Sequence, residues 1–217
     1  MNVRIKVCCI SSVNEARIAV RNGAAALGLV SSMPSGPGVI DESLIAEIAA
    51  AAPPAVATFL LTCLQDADAI VEQQHRCGTN VVQICDHLVT GTYAEMRRAM
   101  PGVKLVQVVH VTGPESVDEA RRVARDVDAI LLDSGNQKLA IKELGGTGRT
   151  HDWELSRRIV ESVAVPVLLA GGLRRENIAD AVRHVRPFGV DLCSSLRSDG
   201  KLDETKVVEF VRAALEA

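Results

Sequence analysis

Aromatic residues are almost missing from this chain of 217: one Trp, one Tyr and three Phe. Any core is therefore aliphatic, and there is no set of aromatic side chains on which nucleic-acid bases could stack. Basic runs are missing too. A net charge of −3 provides no positive patch for a nucleic acid or an anionic membrane surface. No apolar stretch has the length of a membrane-spanning helix. The six cysteines, at 8, 9, 63, 77, 85 and 193, include no C-x-x-C pair. This argues against a zinc site, and the chain is too long for a disulfide-stapled mini-scaffold. No secretory leader is read at the N-terminus, so the expectation is a soluble protein of the reducing cytoplasm.

What remains is an ordinary globular composition, 47% apolar and 24% charged, able to bury a full core. Short apolar runs alternate with amphipathic segments from end to end. Strands are expected at 3–10, 25–30, 55–61, 80–84, 104–109, 129–132, 165–169 and 190–193. Helices are expected at 13–21, 41–51, 66–76, 93–100, 114–125, 153–162, 176–185 and 204–215. Breakers separate them: Asn22-Gly23, Pro53-Pro54, Gly78 and Pro101-Gly102. The strands are continuous apolar runs, as in a parallel sheet covered on both faces. Eight strand–helix units with none left over predict one domain over residues 1–217, a closed (β/α)₈ TIM barrel. A doubly wound open sheet is the competing architecture. It normally carries a glycine fingerprint after its first strand, where this chain has Cys8-Cys9-Ile10-Ser11.

In such a barrel, chemistry sits at the C-terminal ends of the strands. Four features fall there. Cys8 lies near the end of the first strand, and Asp133 ends the sixth. Gly171-Gly172 follows the seventh, and Ser194-Ser195 follows the eighth. Small residues after strands seven and eight suit a phosphate that must touch backbone N–H groups. The turn at Gly145, Gly146, Thr147 and Gly148 suits an anion for the same reason. Cys8 shares strand parity with Arg4 and Lys6, so Lys6 is placed to favour a thiolate, whereas Cys9 should point at the helices and pack. The residues alone leave Cys8 open between a base and a small buried apolar side chain. His110, ending strand five, is placed to face the mouth; His75, His87, His151 and His184 read as surface residues. A Ser-His-Asp arrangement has no G-x-S-x-G elbow to support it.

These motifs resemble the phosphoribosylanthranilate isomerase family of tryptophan biosynthesis, over nearly the whole chain. K-V-C-C-I-S at 6–11 is similar to the family's K-[IV]-C-G-[IL]-[TS] opening, and A-L-G-L-V at 26–30 to its second strand. G-G-T-G-R-T-H-D-W at 145–153 resembles G-G-T-G-x-x-F-D-W, the most specific match. A-G-G-L at 170–173 and G-V-D-L-C-S-S at 189–195 follow in order. The resemblance implies a (β/α)₈ barrel performing an Amadori rearrangement. An acid, mapped onto Asp133, protonates the furanose oxygen and opens the sugar to a Schiff base. A base, mapped onto Cys8, then removes the C2′ proton. Neither metal nor cofactor is implied, and the partner is a small phosphorylated substrate.

The chain also departs from the family pattern. S-G-P-G-V at 35–39 stands for S-P-R-x-V, putting Pro37 where an arginine associated with the anthranilate carboxylate would fall. Q-I-C-D at 83–86 stands for Q-L-H-G, Gln107 for a strand-five lysine, Cys9 for a glycine and Leu196 for a glycine of the phosphate loop. Arg149, Arg174 and Arg197 are the candidates to replace the lost arginine. Retention of Cys8 and Asp133 speaks against a non-catalytic phosphometabolite-binding barrel, and the altered second loop raises a diverged isomerase of another aminated sugar phosphate.

Overall fold

The eight apolar runs pair in chain order and close on themselves. In the computed structural model, which describes residues 3–135, 139, 141–146 and 148–217, the strands are β1 (Arg4–Val7), β2 (Ala26–Val30), β3 (Ala57–Thr62), β4 (Val81–Ile84), β5 (Lys104–His110), β6 (Ala129–Asp133), β7 (Val167–Leu169) and β8 (Gly189–Leu192). Each is parallel to its neighbours, and β1 pairs with β8 in the register Arg4↔Gly189, Lys6↔Asp191. That last pairing excludes the open sheet.

The helices α1 (Val13–Arg21), α2 (Glu42–Ala51), α3 (Ala67–Cys77), α4 (Tyr93–Ala99), α5 (Glu115–Val123), α6 (Trp153–Ser162), α7 (Ile178–Val185) and α8 (Glu204–Leu215) lie between successive strands or follow the last. Local chemistry sets their ends. Ser12 Oγ accepts from Glu15 N–H while the Glu15 carboxylate accepts from Ser11 N–H, a reciprocal cap at the start of α1. Gly78, at φ +64°, closes α3. Asp152 caps α6, accepting from Glu154 and Leu155 N–H. Between β8 and α8 the sequence reading missed a short antiparallel ribbon, β9 (Arg197–Ser198) and β10 (Lys201–Leu202). Its turn puts Asp199 and Gly200 at positive φ, the signature of a two-residue hairpin.

Strand alternation sends the buried residues to two sides of the sheet, and a further cluster of Ile70, Val82, Ile84, Met96 and Leu105 packs α3 and α4 on β4 and β5. Of the two main cores, one lies between barrel and helices and includes Val7, Leu27, Leu60, Ile130, Leu169 and Val190. The other fills the barrel, with Phe59, Leu61, Val106, Val108, Leu131 and Leu168. Among the described residues no helix is long and apolar enough to cross a membrane.

Candidate active site

At the C-terminal end of the barrel the interior is not filled. A cleft opens there, lined by Cys8, Asp133, Asp191, Gly145, Gly171, Gly172, Ser194 and Ser195 among others. The opposite end has a wider hollow lined by Ala25, Ala57, Asp128 and Phe188. Asp128 is committed there to Arg97 and Lys104.

Asp133 is the last residue of β6 and 7% exposed. One carboxyl oxygen accepts from Ser134 N–H at 2.7 Å. The other faces the glycine loop: a β carbon on Gly145 would stand 2.7 Å from it, and Gly145 sits at φ +142°. Burial raises the carboxyl to about 6; Ser134 N–H opposes the shift, the Asp191 charge adds to it, and Lys6 opposes it.

Cys8 lies one residue beyond β1, its side chain inside the barrel. On β2 a β carbon at Gly28 would come 2.7 Å from Cys8 Sγ and 3.1 Å from Lys6 Nζ, so thiol and ammonium fill the same notch. Lys6 is 1% exposed, 2.9 Å from Asp191 Oδ2, and 5.1 Å above the Phe59 ring. Burial works against the Lys6 charge, but Asp191 and then Cys8 more than offset it, and Lys6 titrates above the usual lysine range. Asp191 Oδ1 is buried with no hydrogen-bond partner among the described residues. Sequence reasoning passed over Gly28 and Asp191. The legible signal for Asp191 was an acid within an otherwise apolar strand, in register with Lys6.

Because Lys6 and Asp191 are a buried ion pair, removing one partner strands the other. Lys6→Met is expected to lose about 3–5 kcal/mol of unfolding free energy. Urea melts check this, and the double variant Lys6→Met with Asp191→Asn should recover part of the loss. A single-variant loss under about 1 kcal/mol would mean the pair is solvated.

The phosphate candidates converge. Gly148, Gly171 and Gly172 all have positive φ, and a β carbon on Gly172 would meet Arg149 C and Thr150 N at 2.7 Å. The turns before α6 and after β7 therefore stack backbone on backbone. Ser194–Leu196 forms a single 3-10 turn, and Ser195 Oγ is buried without a partner among the described residues. Leu196 points away, into the core between barrel and helices, and leaves the cleft open. Thr147 lies outside the described residues.

Several expectations are corrected. Cys9 does not point at the helices: the strand ends at Val7, Cys9 turns to φ +62°, and its side chain lines the cleft near Pro37 O. Gly38 accommodates it, since a β carbon there would clash at 2.4 Å with Cys9 Cβ. His110 does not line the cleft but lies beneath Gly135, its Nε2 3.2 Å from Cys85 O, and burial lowers its pKa. Arg149 pairs with Glu143, and its main chain packs on Gly171 and Gly172. Arg174 is exposed beside Glu176, and Arg197 is bound to Glu15 and to the carbonyls of Cys9 and Gly200. Gln107 ties β4 to α4, donating to Ile84 O and Asp86 O and accepting from Tyr93 Oη–H. His151 is not a surface residue: its Nε2 is 2.8 Å from Ser156 Oγ, and burial lowers it to about 4. Pro37 packs on Gly146, and no lysine or arginine is among the described residues lining the cleft. Among the described residues no three His, Cys, Asp or Glu side chains are grouped to hold a metal ion.

Comparison with known proteins places this geometry in context. Residues 5–213 match a family model described as N-(5'-phosphoribosyl)anthranilate (PRA) isomerase. The chain is 39% identical over 214 residues to N-(5'-phosphoribosyl)anthranilate isomerase 2 of Methanosarcina mazei, covering 98% of this chain and 94% of the relative. Phosphoribosyl anthranilate isomerase from Thermotoga maritima superposes with a TM-score of 0.82 at 26% identity, covering 99% of this chain and all of that one. A phosphoribosyl anthranilate isomerase in complex with reduced 1-(o-carboxyphenylamino)-1-deoxyribulose 5-phosphate superposes at 0.80 and 24% identity, again over 99% of this chain and 100% of the other.

Proposed function

The chain belongs to the N-(5'-phosphoribosyl)anthranilate isomerase family, and on that premise we propose that Cys8 is the general base and Asp133 the general acid of its reaction. The activity is that of an aldose–ketose isomerase of tryptophan biosynthesis. The observation that carries the residue assignment is that a thiol from β1 and a carboxyl raised to about 6 open onto one cleft from different sides of the barrel.

The chemistry needs an acid still protonated near neutrality and a base that accepts a proton from carbon. Asp133 gives its proton to the furanose oxygen, breaking the C1′–O bond and leaving a Schiff base. Cys8 takes the C2′ proton, and the enolamine relaxes to the 1-deoxyribulose. Lys6 places a positive charge beside the sulfur when the sulfur carries a negative one. The phosphate lies against the N–H groups of Gly148, Gly171, Gly172 and the 194–195 turn, with Ser195 Oγ as a further donor. This anchors one end of the substrate while the reacting carbons lie between acid and base.

The test is turnover of N-(5-phosphoribosyl)anthranilate, made beforehand by condensing anthranilate with ribose 5-phosphate and followed by appearance of the 1-deoxyribulose phosphate product. The purified chain is expected to consume it. Soluble, folded protein that leaves the substrate untouched while isomerising another N-substituted aminoribose phosphate would move the assignment to that aglycone, consistent with Pro37 in the second loop.

A further inference from the structure

Three contacts among the described residues help hold the connection from β6 to α6 across the mouth of the barrel. Ser35 Oγ–H donates to Lys142 O at 2.6 Å. Pro37 packs on Gly146, where a β carbon would come within 2.7 Å of its ring. The third contact is ionic: Lys142 Nζ donates to Asp86 Oδ2 at 2.5 Å. Asp86 stands two residues beyond β4, and its side chain is 4% exposed, against 38% for Lys142. Its other oxygen accepts from His87 N–H at 2.8 Å. A carboxylate so buried requires a partner, and that requirement fixes where Lys142 can lie. Three residues further along, Gly145 lays its backbone on the Asp133 oxygen that Ser134 leaves open.

We propose that the Asp86–Lys142 ion pair is a clamp that holds the Gly145 backbone over Asp133 and keeps that carboxyl out of water. Lys142 and Asp86 are then positioning residues that act through Asp133. The importance of the clamp for turnover rests on the reading of Asp133 as the acid; its existence does not.

Burial is the leading cause of the raised Asp133 carboxyl. Among the described residues, the groups that bear on it from the barrel are Lys6 of β1, Asp191 of β8, Cys85 after β4, and His110, its register partner on β5. None of these moves with the loop, so the Gly145 cover is the part of the environment the clamp controls. Cys63, after β3, senses both members of the clamp.

The two effects of removing Lys142 have opposite signs. Deleting a positive charge by itself raises a nearby carboxyl, whereas uncovering Asp133 lowers it. The experiment is a ¹³C NMR titration of the Asp133 carboxyl carbon in the full chain, its signal assigned by its absence in Asp133→Asn. Lys142→Met and Asp86→Asn are expected to move the midpoint down by about one unit, with about a tenfold smaller protonated fraction at pH 7. kcat/KM should fall in proportion, and Lys142→Arg should restore the wild-type midpoint. Lys142→Met strands the buried Asp86 carboxylate; if it proves unstable, the double variant Lys142→Met with Asp86→Asn removes both charges and reads the same midpoint. An unchanged or raised midpoint in Lys142→Met overturns the clamp. Full activity of Asp133→Asn would instead overturn the acid assignment, and the midpoints would still decide the clamp.

Discussion

Asp133→Asn is expected to lower kcat by two to four orders of magnitude while making the folded barrel more stable at neutral pH by roughly 2–3 kcal/mol. The first effect is the usual size of a lost general acid. The second follows from linkage. The carboxyl titrates at about 6 in the folded protein against an ordinary value of 3.8, and each unit is worth about 1.4 kcal/mol. A raised folded value means the group favours the folded state fully below 3.8, where it is protonated in both states. That contribution is lost as pH rises through 6. Asparagine keeps the shape and the acceptor for Ser134 N–H but never ionises. The gain should therefore be near zero at pH 3.8 and complete above 6. His151 has the opposite sign: held neutral with a value of about 4 against 6.5, it contributes stability above 6.5 that is lost as pH falls toward 4. In the wild type the two slopes oppose each other over most of that window, and Asp133→Asn leaves the histidine slope unopposed. Urea melts at pH 4 and pH 7.5, beside steady-state turnover, read both effects. A gain of equal size at the two pH values, or a loss at both, would show that Asp133 is not held protonated by burial.

Cys8→Ser should also lower kcat by two to four orders of magnitude, with KM close to wild type and little change in melting temperature. The oxygen fits where the sulfur sat, in the notch over Gly28 beside Lys6. The change is chemical: an alcohol gives up its proton far less readily than a thiol, and the step assigned to Cys8 requires the ionised form. A raised KM with unchanged kcat would instead make Cys8 a binding residue. Exchange kinetics separate the steps further, because a variant lacking only the base still opens the sugar ring but fails to exchange the C2′ hydrogen with solvent.

Much of this molecule could be read along the chain. α1, α2, α6 and α8 have the bounds expected from their caps and apolar spacing, since those signals act within one or two turns. The barrel itself followed from eight repeats of one local pattern. Strand ends were less legible. The apolar run from Val3 to Ile10 continues past the last paired residue, Val7, because closure against β8 decides where pairing stops. That is why parity held for Lys6 and Cys8 and failed for Cys9, whose left-handed backbone breaks the alternation.

By itself, the sequence determined the order of strands and helices, the aliphatic core, and the placing of Cys8, Asp133 and the small-residue turns at strand ends. These depend on neighbours in the chain. The tertiary structure alone decided that Lys6 meets Asp191, that Arg174 and Arg197 turn away from the cleft, that Leu196 leaves it open, and that Asp86 takes Lys142. Each of these depends on which distant side chains share a buried space once the barrel closes, and burial is what gives their charges direction.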